Sequence, residues 1–549
     1  MNKIIQIAIG FVVVLSLTNC SNDGDTPVQE KPRIIVTADP ELDDNNSMIR
    51  FLLHATDFRI EGLIYASSQF HWKGDGQGTL WFVPGREYTR NGLNFGPMKS
   101  WRWAENERFI HDIVDAYEAS YANLKVHRPD YPTPEYLQSI IRYGNIEFDG
   151  DFSKDSPGSE LIKEKIMDDV PGPLFITAWG GASTIARALL VIENEYKNTP
   201  QWASIKEKVS KKVVLCLSGD QDDTYAKYIQ PNWPDIRQYQ AGGGGVGLAY
   251  NAQASVKPEF AYYYQPEWIQ ANITNVGPLG ALFRVWGDGK QMVKGDIFDY
   301  FHLSGYTSEE LREMGYVVWT PPHPKGSWLG EGDTGTFLNL VDNGLRAHED
   351  ETWGSWAGRR REMPGGGFGG FGGFGAPPDG SGMPPGGSGT PPGGGGGIPP
   401  DGGGMFPDMA VMMAFFMSSD AAMPLEFLPA AQNELAARFK WAVTPQYKDA
   451  NHHPVITGAT EISAKAGEKV ALKMKVTDPD KDVVSLQWVQ FKVGTYEGDV
   501  AVEEPASAST SFTVPSDAKP GETIHLVLEA MDNGSPALYR YHRVIITVI

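Results

Sequence analysis

The stretch "RIIVTADPELDDNNSMIRFLLHA", residues 33–55, reads as a strand that passes directly into a helix. Residues 33–38 form an apolar, β-branched run of the kind found in buried strands. From residue 46 onward, apolar side chains recur at helical spacing, at Met48, Phe51, Leu52 and Ala55. The pattern predicts a strand–turn–helix unit, the element from which α/β domains are built.

Further segments of both kinds alternate as far as about residue 350. Strands are predicted within 58–67, 172–180 and 211–220, and helices within 105–124 and 182–198. This alternation predicts an α/β domain over residues 33–363, with an open, mostly parallel sheet. In such sheets ligands bind beyond the carboxyl ends of the strands, and the acidic turn at 39–44 follows one of these ends.

The rest of the chain changes in composition. Residues 364–408 are dominated by Gly and Pro, which predicts a disordered insertion because few side chains are present to offset the entropy of ordering. Residues 409–445 are expected to return and pack on the α/β domain. In "VALKMKVTD", residues 470–478, apolar residues alternate with lysines. This alternation and the later strand-like segments predict a smaller, all-β, Ig-like sandwich over residues 451–549.

The N-terminus has the pattern of an export signal. Lys3 gives a positive start, residues 4–17 are apolar but too short to span a bilayer comfortably, and "LTNC" ends at Cys20. "LTNC" resembles a bacterial lipobox, which implies a signal peptide over 1–20, lipidation of Cys20 and a tether over 21–32. We therefore expect an exported lipoprotein of the cell envelope, on the periplasmic or surface side of the outer membrane. A plain secreted protein is the alternative.

The acidic turn holds Asp39, Glu41, Asp43 and Asp44. One Asp at a helix N-terminus is explained by capping and by the helix dipole, but four carboxylates exceed what capping can use. Their mutual repulsion would raise their pKa values unless a cation lay among them. A hard divalent ion that takes oxygen ligands is a physical solution, so the spacing predicts a metal site, with helix capping as the alternative.

The same turn, "ADPELDD", resembles the calcium-binding turn of the inosine–uridine nucleoside hydrolases, whose pattern is D-x-D-P-G-x-D-D at the end of the first strand. The resemblance implies that Asp39 and Asp44 bind Ca²⁺ and that Asp43 is the general base that takes a proton from the attacking water. The family chemistry cleaves an N-glycosidic bond through a sugar cation, with Ca²⁺ holding a sugar diol.

Other family landmarks follow in order. "GLIYASSQ" places Gln69 where the family has a sugar-contacting Asn, and "TAWGGASTIA" makes the Trp179 backbone carbonyl a calcium ligand. "GEGDTGTFLNLV" makes Asp333 the last carboxylate ligand. For the 5′-hydroxyl contacts the nearest candidate is Asn232, in "QPNWPD".

The sequence also departs from the family pattern. Thr37 replaces the leading Asp, Glu41 replaces the Gly, and Gly332 replaces a His that can protonate a leaving base. A group of secreted, nucleoside-hydrolase-like bacterial proteins, some labelled cellulose-binding, is more similar. They share "EGDT" (331–334), "QNELAAR" (432–438, where their pattern is QND-AAR) and a C-terminal Ig-like domain.

Two functions stay open from the sequence. The first is a calcium-dependent hydrolase of N-glycosidic, ribosyl-type or related glycosidic bonds, which retention of Asp43 favours. The second is a non-catalytic, cell-surface protein that binds a cellulose-like polysaccharide, which the missing His favours.

The expected partner is therefore a small glycoside or a polysaccharide, and the lipid on Cys20 would attach the protein to the membrane. The net charge of −21 argues against nucleic acid. The oligomeric state stays open, a homo-oligomer included.

Several further polar residues have two interpretations each. His71 is a leaving-group acid or a surface histidine, and Glu331 is a leaving-group acid or a helix cap. The carboxylates that follow the strand at 211–220 either contact substrate or cap the next helix: Asp220, Asp222 and Asp223.

Overall fold

The structure is a computed structural model that describes residues 31–89, 93–240, 247–250, 252–254, 256–358 and 427–549. The predicted signal peptide, Cys20, nearly all of the tether, the Gly/Pro-rich insertion and residues 409–426 lie outside the described residues. Within the described part of the chain, no helix combines the length and the apolar character needed to cross a membrane.

A six-stranded, all-parallel sheet forms the centre of the first domain. Its strands are β1 (Arg33–Ala38), β2 (Arg59–Tyr65), β3 (Ile141–Tyr143), β4 (Leu174–Ala178), β5 (Val213–Leu217) and β6 (Arg237–Gln240). They lie in the order β3-β2-β1-β4-β5-β6, so the direction in which the sheet grows reverses between β1 and β4. The predicted α/β fold with a parallel sheet is confirmed.

Helices cover both faces of this sheet. They are α1 (Leu42–Leu53), α2 (Phe109–His127), α3 (Pro134–Ser139), α4 (Pro157–Met167), α5 (Ser183–Tyr196), α6 (Trp202–Lys212), α7 (Gln230–Asn232), α8 (Pro266–Ile269), α9 (Gly277–Leu282), α10 (Ser308–Glu313) and α11 (Phe427–Val443). The pleat of β1 sends Ile34 and Val36 into the core with α1, α2 and α11, and sends Ile35 into the core with α4 and α5. Both faces are therefore buried, which explains the continuous apolar runs.

The C-terminal region is built from β-strands. They are β7 (Val455–Thr457), β8 (Glu461–Ala464), β9 (Lys469–Lys473), β10 (Lys475–Thr477), β11 (Ser485–Phe491), β12 (Ser509–Thr513), β13 (Thr523–Met531) and β14 (Tyr539–Val548). A four-stranded sheet in the order β11-β13-β14-β8 packs with the pairs β10-β7 and β12-β9 around a separate core. All pairs are antiparallel except β14 with β8, and the predicted all-β character is confirmed.

The segment predicted as one strand at 470–478 is divided in two at Met474. β9 pairs with β12, whereas β10 pairs with β7. Met474 stays buried between them, and its backbone N–H donates to the Ala508 carbonyl at 2.9 Å. The side-chain alternation therefore holds, but the strand changes partner at this point. Sequence periodicity carries no information about such a change, because it reports only which face each side chain occupies.

Candidate functional site

The acidic turn lies at the point where the strand order reverses. Asp39 directly follows β1, and α1 begins three residues later at Leu42. Gly180 follows β4 on the other side, so close that a Cβ added to it would lie 3.0 Å from the Asp39 carboxyl carbon. The crevice outside the carboxyl ends of the strands at such a reversal is where open α/β sheets bind ligands.

Capping of α1 involves one carboxylate of this turn, that of Asp43, which interacts with the backbone N–H groups of Asp43 and Asp44. The N-cap residue is Glu41, and its side chain makes no capping hydrogen bond. Asp44 instead accepts from the Asp39 backbone N–H at 3.1 Å, which closes the turn on itself. Asp43 accepts from the backbone N–H of Gly332, 289 residues away, at 3.2 Å. Capping therefore does not account for the cluster.

Asp333 joins the cluster from the short 3₁₀ helix Gly332–Thr336. Its carboxyl group contacts the Asp44 carboxyl and the hydroxyl of Ser218, the residue that follows β5. Asp39 accepts a hydrogen bond from the hydroxyl of Ser68. Asp39, Asp43, Asp44 and Asp333 are all buried, so two distant chain segments bring four carboxyl groups together away from water. We call these four residues the acidic cluster.

Burial dominates the electrostatics of the acidic cluster. It raises the pKa of Asp39 to about 7 and the pKa of Asp43 to about 6. The pKa values of Asp44 and Asp333 are raised well above the usual range, by burial first and then by repulsion from the neighbouring carboxylates. A cation among these groups would remove the repulsion and restore the charged forms.

The donor atoms of the acidic cluster fit a hard divalent cation. Oδ1 of Asp39 and Oδ1 of Asp43 are buried and have no hydrogen-bond partner within the described part of the chain. Buried polar atoms without partners are rare in native proteins, and each needs an explanation. Carboxylate oxygens are the ligands that Ca²⁺ prefers, so residues Asp39, Asp44 and Asp333 can hold such an ion.

Two further predicted site residues reach the same edge of the sheet. Gln69 is buried, and its backbone N–H donates to the Gln221 carbonyl at 3.1 Å. The Trp179 carbonyl accepts from Nε2 of Gln221 at 2.6 Å. That carbonyl therefore has one lone pair engaged by a side chain and a second still available as a ligand.

Asn232 is not brought to the acidic cluster. It ends the short helix α7, and its side chain donates to the Tyr228 carbonyl at 2.8 Å. The chain then enters β6 at Arg237, which pairs with Val214 near the start of β5. Asn232 therefore precedes the amino end of the sheet, opposite the acidic cluster, so the structure gives no support to its predicted contact with substrate.

Gly332 occupies the position of the family His for a spatial reason. A Cβ added to Gly332 would lie 2.5 Å from Oδ2 of Asp43, well inside van der Waals contact. The close approach also allows the Gly332 N–H to bind that oxygen. A side chain at 332 would displace Asp43, so the glycine leaves room for the Asp43 carboxylate.

The other ambiguous acids have structural partners. Asp222 accepts from the backbone N–H groups of Ser183 and Thr224, and Asp220 accepts from those of Tyr225 and Ala226. The interpretation as helix caps is therefore the better one for Asp220 and Asp222. Asp223 instead lies 2.9 Å from Nη1 of Arg86.

Glu331 is neither a helix cap nor a free acid. Its side chain makes no capping hydrogen bond and forms a fully buried ion pair with Arg50 of α1. The same guanidinium donates to the Ala431 carbonyl at 2.9 Å and to Oε1 of Gln432 at 2.7 Å. Arg50 therefore ties the "EGDT" and "QNELAAR" segments to α1.

The sequence did not predict a role for Tyr250, and it left His71 open as a surface histidine. The Tyr250 hydroxyl donates to Asp43, so it orients that carboxylate together with the Gly332 N–H. His71 is completely buried beside Asp39 and Glu41 rather than on the surface. No local pattern marks Tyr250. The position of His71 shortly after β2 could have predicted its burial in the site, because the carboxyl end of β2 lies at the same edge of the sheet as the acidic turn.

The fold and the acidic cluster define a nucleoside hydrolase-like protein. Residues 33–360 match the family model described as "Cellulose-binding Sde182, nucleoside hydrolase-like domain", and the chain belongs to this family. Residues 469–548 match the model described as "Cellulose-binding protein Sde0182, C-terminal domain". The predicted relationship to this group, with a β-rich C-terminal region, is confirmed.

One solved structure with the same fold comes from Saccharophagus degradans. It is described as a nucleoside hydrolase-related hypothetical protein associated with carbohydrate metabolism. The two structures superpose with a TM-score of 0.63 over 94% of this chain and 100% of that chain, at 24% sequence identity. At that identity the likeness shows the fold alone. Among curated protein sequences, no match was found.

Proposed function

We propose that this protein is a calcium-dependent hydrolase of N-glycosidic, ribosyl-type or related glycosidic bonds. The observation that carries the proposal is the state of Asp43. One oxygen accepts from the Gly332 N–H, the Tyr250 hydroxyl orients the group, and Oδ1 is buried with no hydrogen-bond partner in the segments that the structure describes. A fixed carboxylate with one unengaged oxygen is suited to take a proton from an attacking water.

The neighbouring carboxylates complete the proposed site. Asp39, Asp44 and Asp333 would hold Ca²⁺, with the Trp179 carbonyl as a further ligand. When bound, the ion supplies an anchor for a sugar diol and lowers the pKa of a coordinated water. The carboxylate of Asp43 accepts the proton of the attacking water, and the surrounding negative groups favour the positive charge that develops on the sugar. Gln69 follows β2 at the same edge and would contact the sugar.

A screen of ribosides and other glycosides, with Ca²⁺ and with a chelator, tests this proposal. We expect hydrolysis in Ca²⁺ that the chelator abolishes, and a loss of about 10²-fold or more in kcat for Asp43→Asn, which keeps the shape but removes the base. The matched control is Asp220→Asn. Asp220 also follows a strand of the sheet, β5, and its carboxylate accepts from the backbone N–H groups of Tyr225 and Ala226. Equal activity of Asp43→Asn and the wild type would show that the base is assigned wrongly.

A second candidate function is non-catalytic binding of a cellulose-like polysaccharide. The names of the two matching family models support it, as does the glycine at position 332. Trp319 is 50% exposed, and its ring centroid lies 5.2 Å from that of Tyr250 in an edge-on contact. Tyr250 in turn donates to Asp43. An exposed aromatic ring at the margin of a polar site is suited to pack against a sugar ring.

Retention on cellulose separates the two candidate functions. The binding candidate predicts that the protein is retained, that Trp319→Ala releases it, and that Asp39→Ala does not, while no glycoside is hydrolysed. The hydrolase candidate predicts that Asp39→Ala abolishes turnover. Phe95→Ala is the control for Trp319→Ala, since Phe95 is also an exposed aromatic residue.

We also propose that the protein is exported and lipid-anchored in the cell envelope. The support is the sequence pattern that ends at Cys20. Labelling cells with a radioactive or alkyne fatty acid should mark the wild type and leave Cys20→Ala unlabelled. Equal labelling of both would refute lipidation at this residue.

A further inference from the structure

His71 presents an imidazole nitrogen with a defined lone pair to the interior of the site. The residue is completely buried, and its Nδ1 lies 2.7 Å from the backbone carbonyl oxygen of Arg102. Because a carbonyl can only accept a hydrogen bond, Nδ1 carries the proton and Nε2 carries the lone pair. Nε2 is buried and has no hydrogen-bond partner among the described residues. This is the arrangement in which histidine binds metals.

A ring nitrogen of His71 lies close to two carboxylates. This nitrogen and one oxygen each of Asp39 and Glu41 all lie within 4.8 Å of one another. One ion at about 2.0–2.2 Å from each atom would place its ligands at such separations. Oδ1 of Asp39, like Nε2 of His71, has no hydrogen-bond partner among the described residues. Hydrogen-bond acceptors therefore converge at this point, and without a proton or a cation they would repel one another.

The nearest protein cation is already engaged. The Arg102 guanidinium lies 3.1 Å from Glu87 and 2.8 Å from Asp296, and it packs over the ring of Phe298 at 5.1 Å. Two carboxylates thus share its single positive charge. Arg102 does attract Asp39 and Glu41 at longer range, but its one charge is then shared among four carboxyl groups.

We propose that Asp39, Glu41 and His71 form a binding site for a divalent transition-metal ion, such as Zn²⁺ or Co²⁺. One nitrogen and two carboxylate oxygens suit these ions, whereas Ca²⁺ takes oxygen ligands alone. The site shares Asp39 with the acidic cluster but does not include Asp333. Glu41 and His71 distinguish it from the proposed calcium site. The proposal does not depend on whether the protein hydrolyses a glycoside.

Titration of metal-free protein with Co²⁺, followed by absorption spectroscopy and calorimetry, tests this site. We expect one equivalent to bind, with affinity lowered at least tenfold by His71→Ala and by Glu41→Gln. Ca²⁺ affinity should change less than twofold in the same variants. Asp333→Asn should do the reverse, weakening Ca²⁺ and sparing Co²⁺. If the wild type binds no Co²⁺, Arg102 suffices to balance the charge and the proposal is overturned.

His54→Ala is the matched control. His54 is also completely buried, with Nδ1 3.0 Å from the Arg50 carbonyl, and it belongs to no cluster of metal-binding groups within the described part of the chain. An equal loss of Co²⁺ affinity in His54→Ala would attribute the effect to the fold and refute the site. The wild type gives a direct readout, since a bound His71 should show a Co²⁺-shifted imidazole N–H resonance. Its absence from the Co²⁺-loaded protein would also overturn the proposal.

Discussion

At the scale of single residues, the site depends on backbone and side-chain atoms that lie so close together that a larger side chain would not fit. Gly332 and Asp43 are the clearest pair, because the absent Cβ of one is the space that the carboxylate of the other fills. The position at which the family resemblance implies a leaving-group acid therefore holds a glycine whose N–H binds the Asp43 carboxylate. In the proposed hydrolase, the leaving group would either need no proton or take it from another residue.

Gly332→Ala tests this crowding. The added methyl group should push the Asp43 carboxylate away and lower the turnover of any glycoside substrate by about tenfold or more, since small misplacements of a reacting group are costly. Ca²⁺ affinity should change little, because Asp39, Asp44 and Asp333 are untouched. Steady-state kinetics and calorimetry measure the two effects.

Thr334→Ser, in the same 3₁₀ turn, is the control for Gly332→Ala because it keeps the hydroxyl that bonds to Glu331. Turnover in Gly332→Ala equal to that of this control would contradict the crowding argument.

At the scale of elements, α1 is held from two sides by one arginine. Arg50 pairs with Glu331 in the loop before the 3₁₀ helix and bonds to the start of α11. α11 in turn is fixed to the end of α1 by Arg438, which lies 2.9 Å from Asp57 and donates to the Leu53 carbonyl at 2.8 Å. The position of Asp333 relative to the acidic turn therefore depends on a buried ionic network.

Arg50→Met should lower the free energy of unfolding by about 3–5 kcal/mol, because it leaves the Glu331 charge buried without a partner. Chemical denaturation measures the change. Arg108→Ala removes an exposed pair with Asp112 and should change stability by less than about 1 kcal/mol. A loss in Arg50→Met no larger than that of the surface variant would mean that Glu331 is solvated or neutral.

A pH-dependent contribution to stability is expected from β13. Glu529 lies opposite Tyr541 of β14, and burial raises the pKa of its carboxyl group from 4.5 to about 7. The folded protein therefore keeps a proton that the unfolded chain releases, so stability falls as pH rises from 4.5 to about 7. Between pH 5 and 8, the free energy of unfolding should fall by about 1–2 kcal/mol more in the wild type than in Glu529→Gln. Parallel pH profiles in chemical denaturation would contradict this expectation.

At the scale of the whole molecule, the β-rich region has its own core but also packs one face into the core of the α/β domain. Phe491, Val527 and Tyr541 belong to the same buried cluster as α1, α2 and α11. Arg543 is buried and donates to the Leu345 carbonyl at 2.6 Å. The two regions should therefore unfold together.

Gly344 tests this coupling. Its φ of +93° and a Cβ position 1.9 Å from the Tyr541 carbonyl oxygen require glycine at the contact between the two regions. The wild type should show one calorimetric transition, and Gly344→Ala should show two. Gly305→Ala is the control, because φ is +82° there but nothing lies within 4 Å of the added Cβ. Two transitions in the wild type, or equal behaviour of the two variants, would refute the coupling.

Local patterns were sufficient for the architecture and for part of the site. The apolar runs of β1, β4 and β5, the helical spacing after residue 46 and the alternation at 470–478 each report burial on one or two faces, which neighbouring residues alone specify. The acidic turn could be read in the same way, because its four carboxylates are close in sequence. Asp333, Gln69 and Trp179 required the family resemblance, since nothing local connects them to that turn.

Long-range packing settled the remaining features. The packing of the 3₁₀ helix places Asp333 against Asp44 and Ser218. The direction of the parallel strands puts Asn232 at the opposite end of the sheet, away from these residues. The backbone carbonyl of Arg102 fixes which nitrogen of His71 carries the lone pair. These contacts join residues tens to hundreds of positions apart. Hydrophobic periodicity encodes the face on which a side chain lies, but which distant side chain it meets depends on the packing of the whole fold.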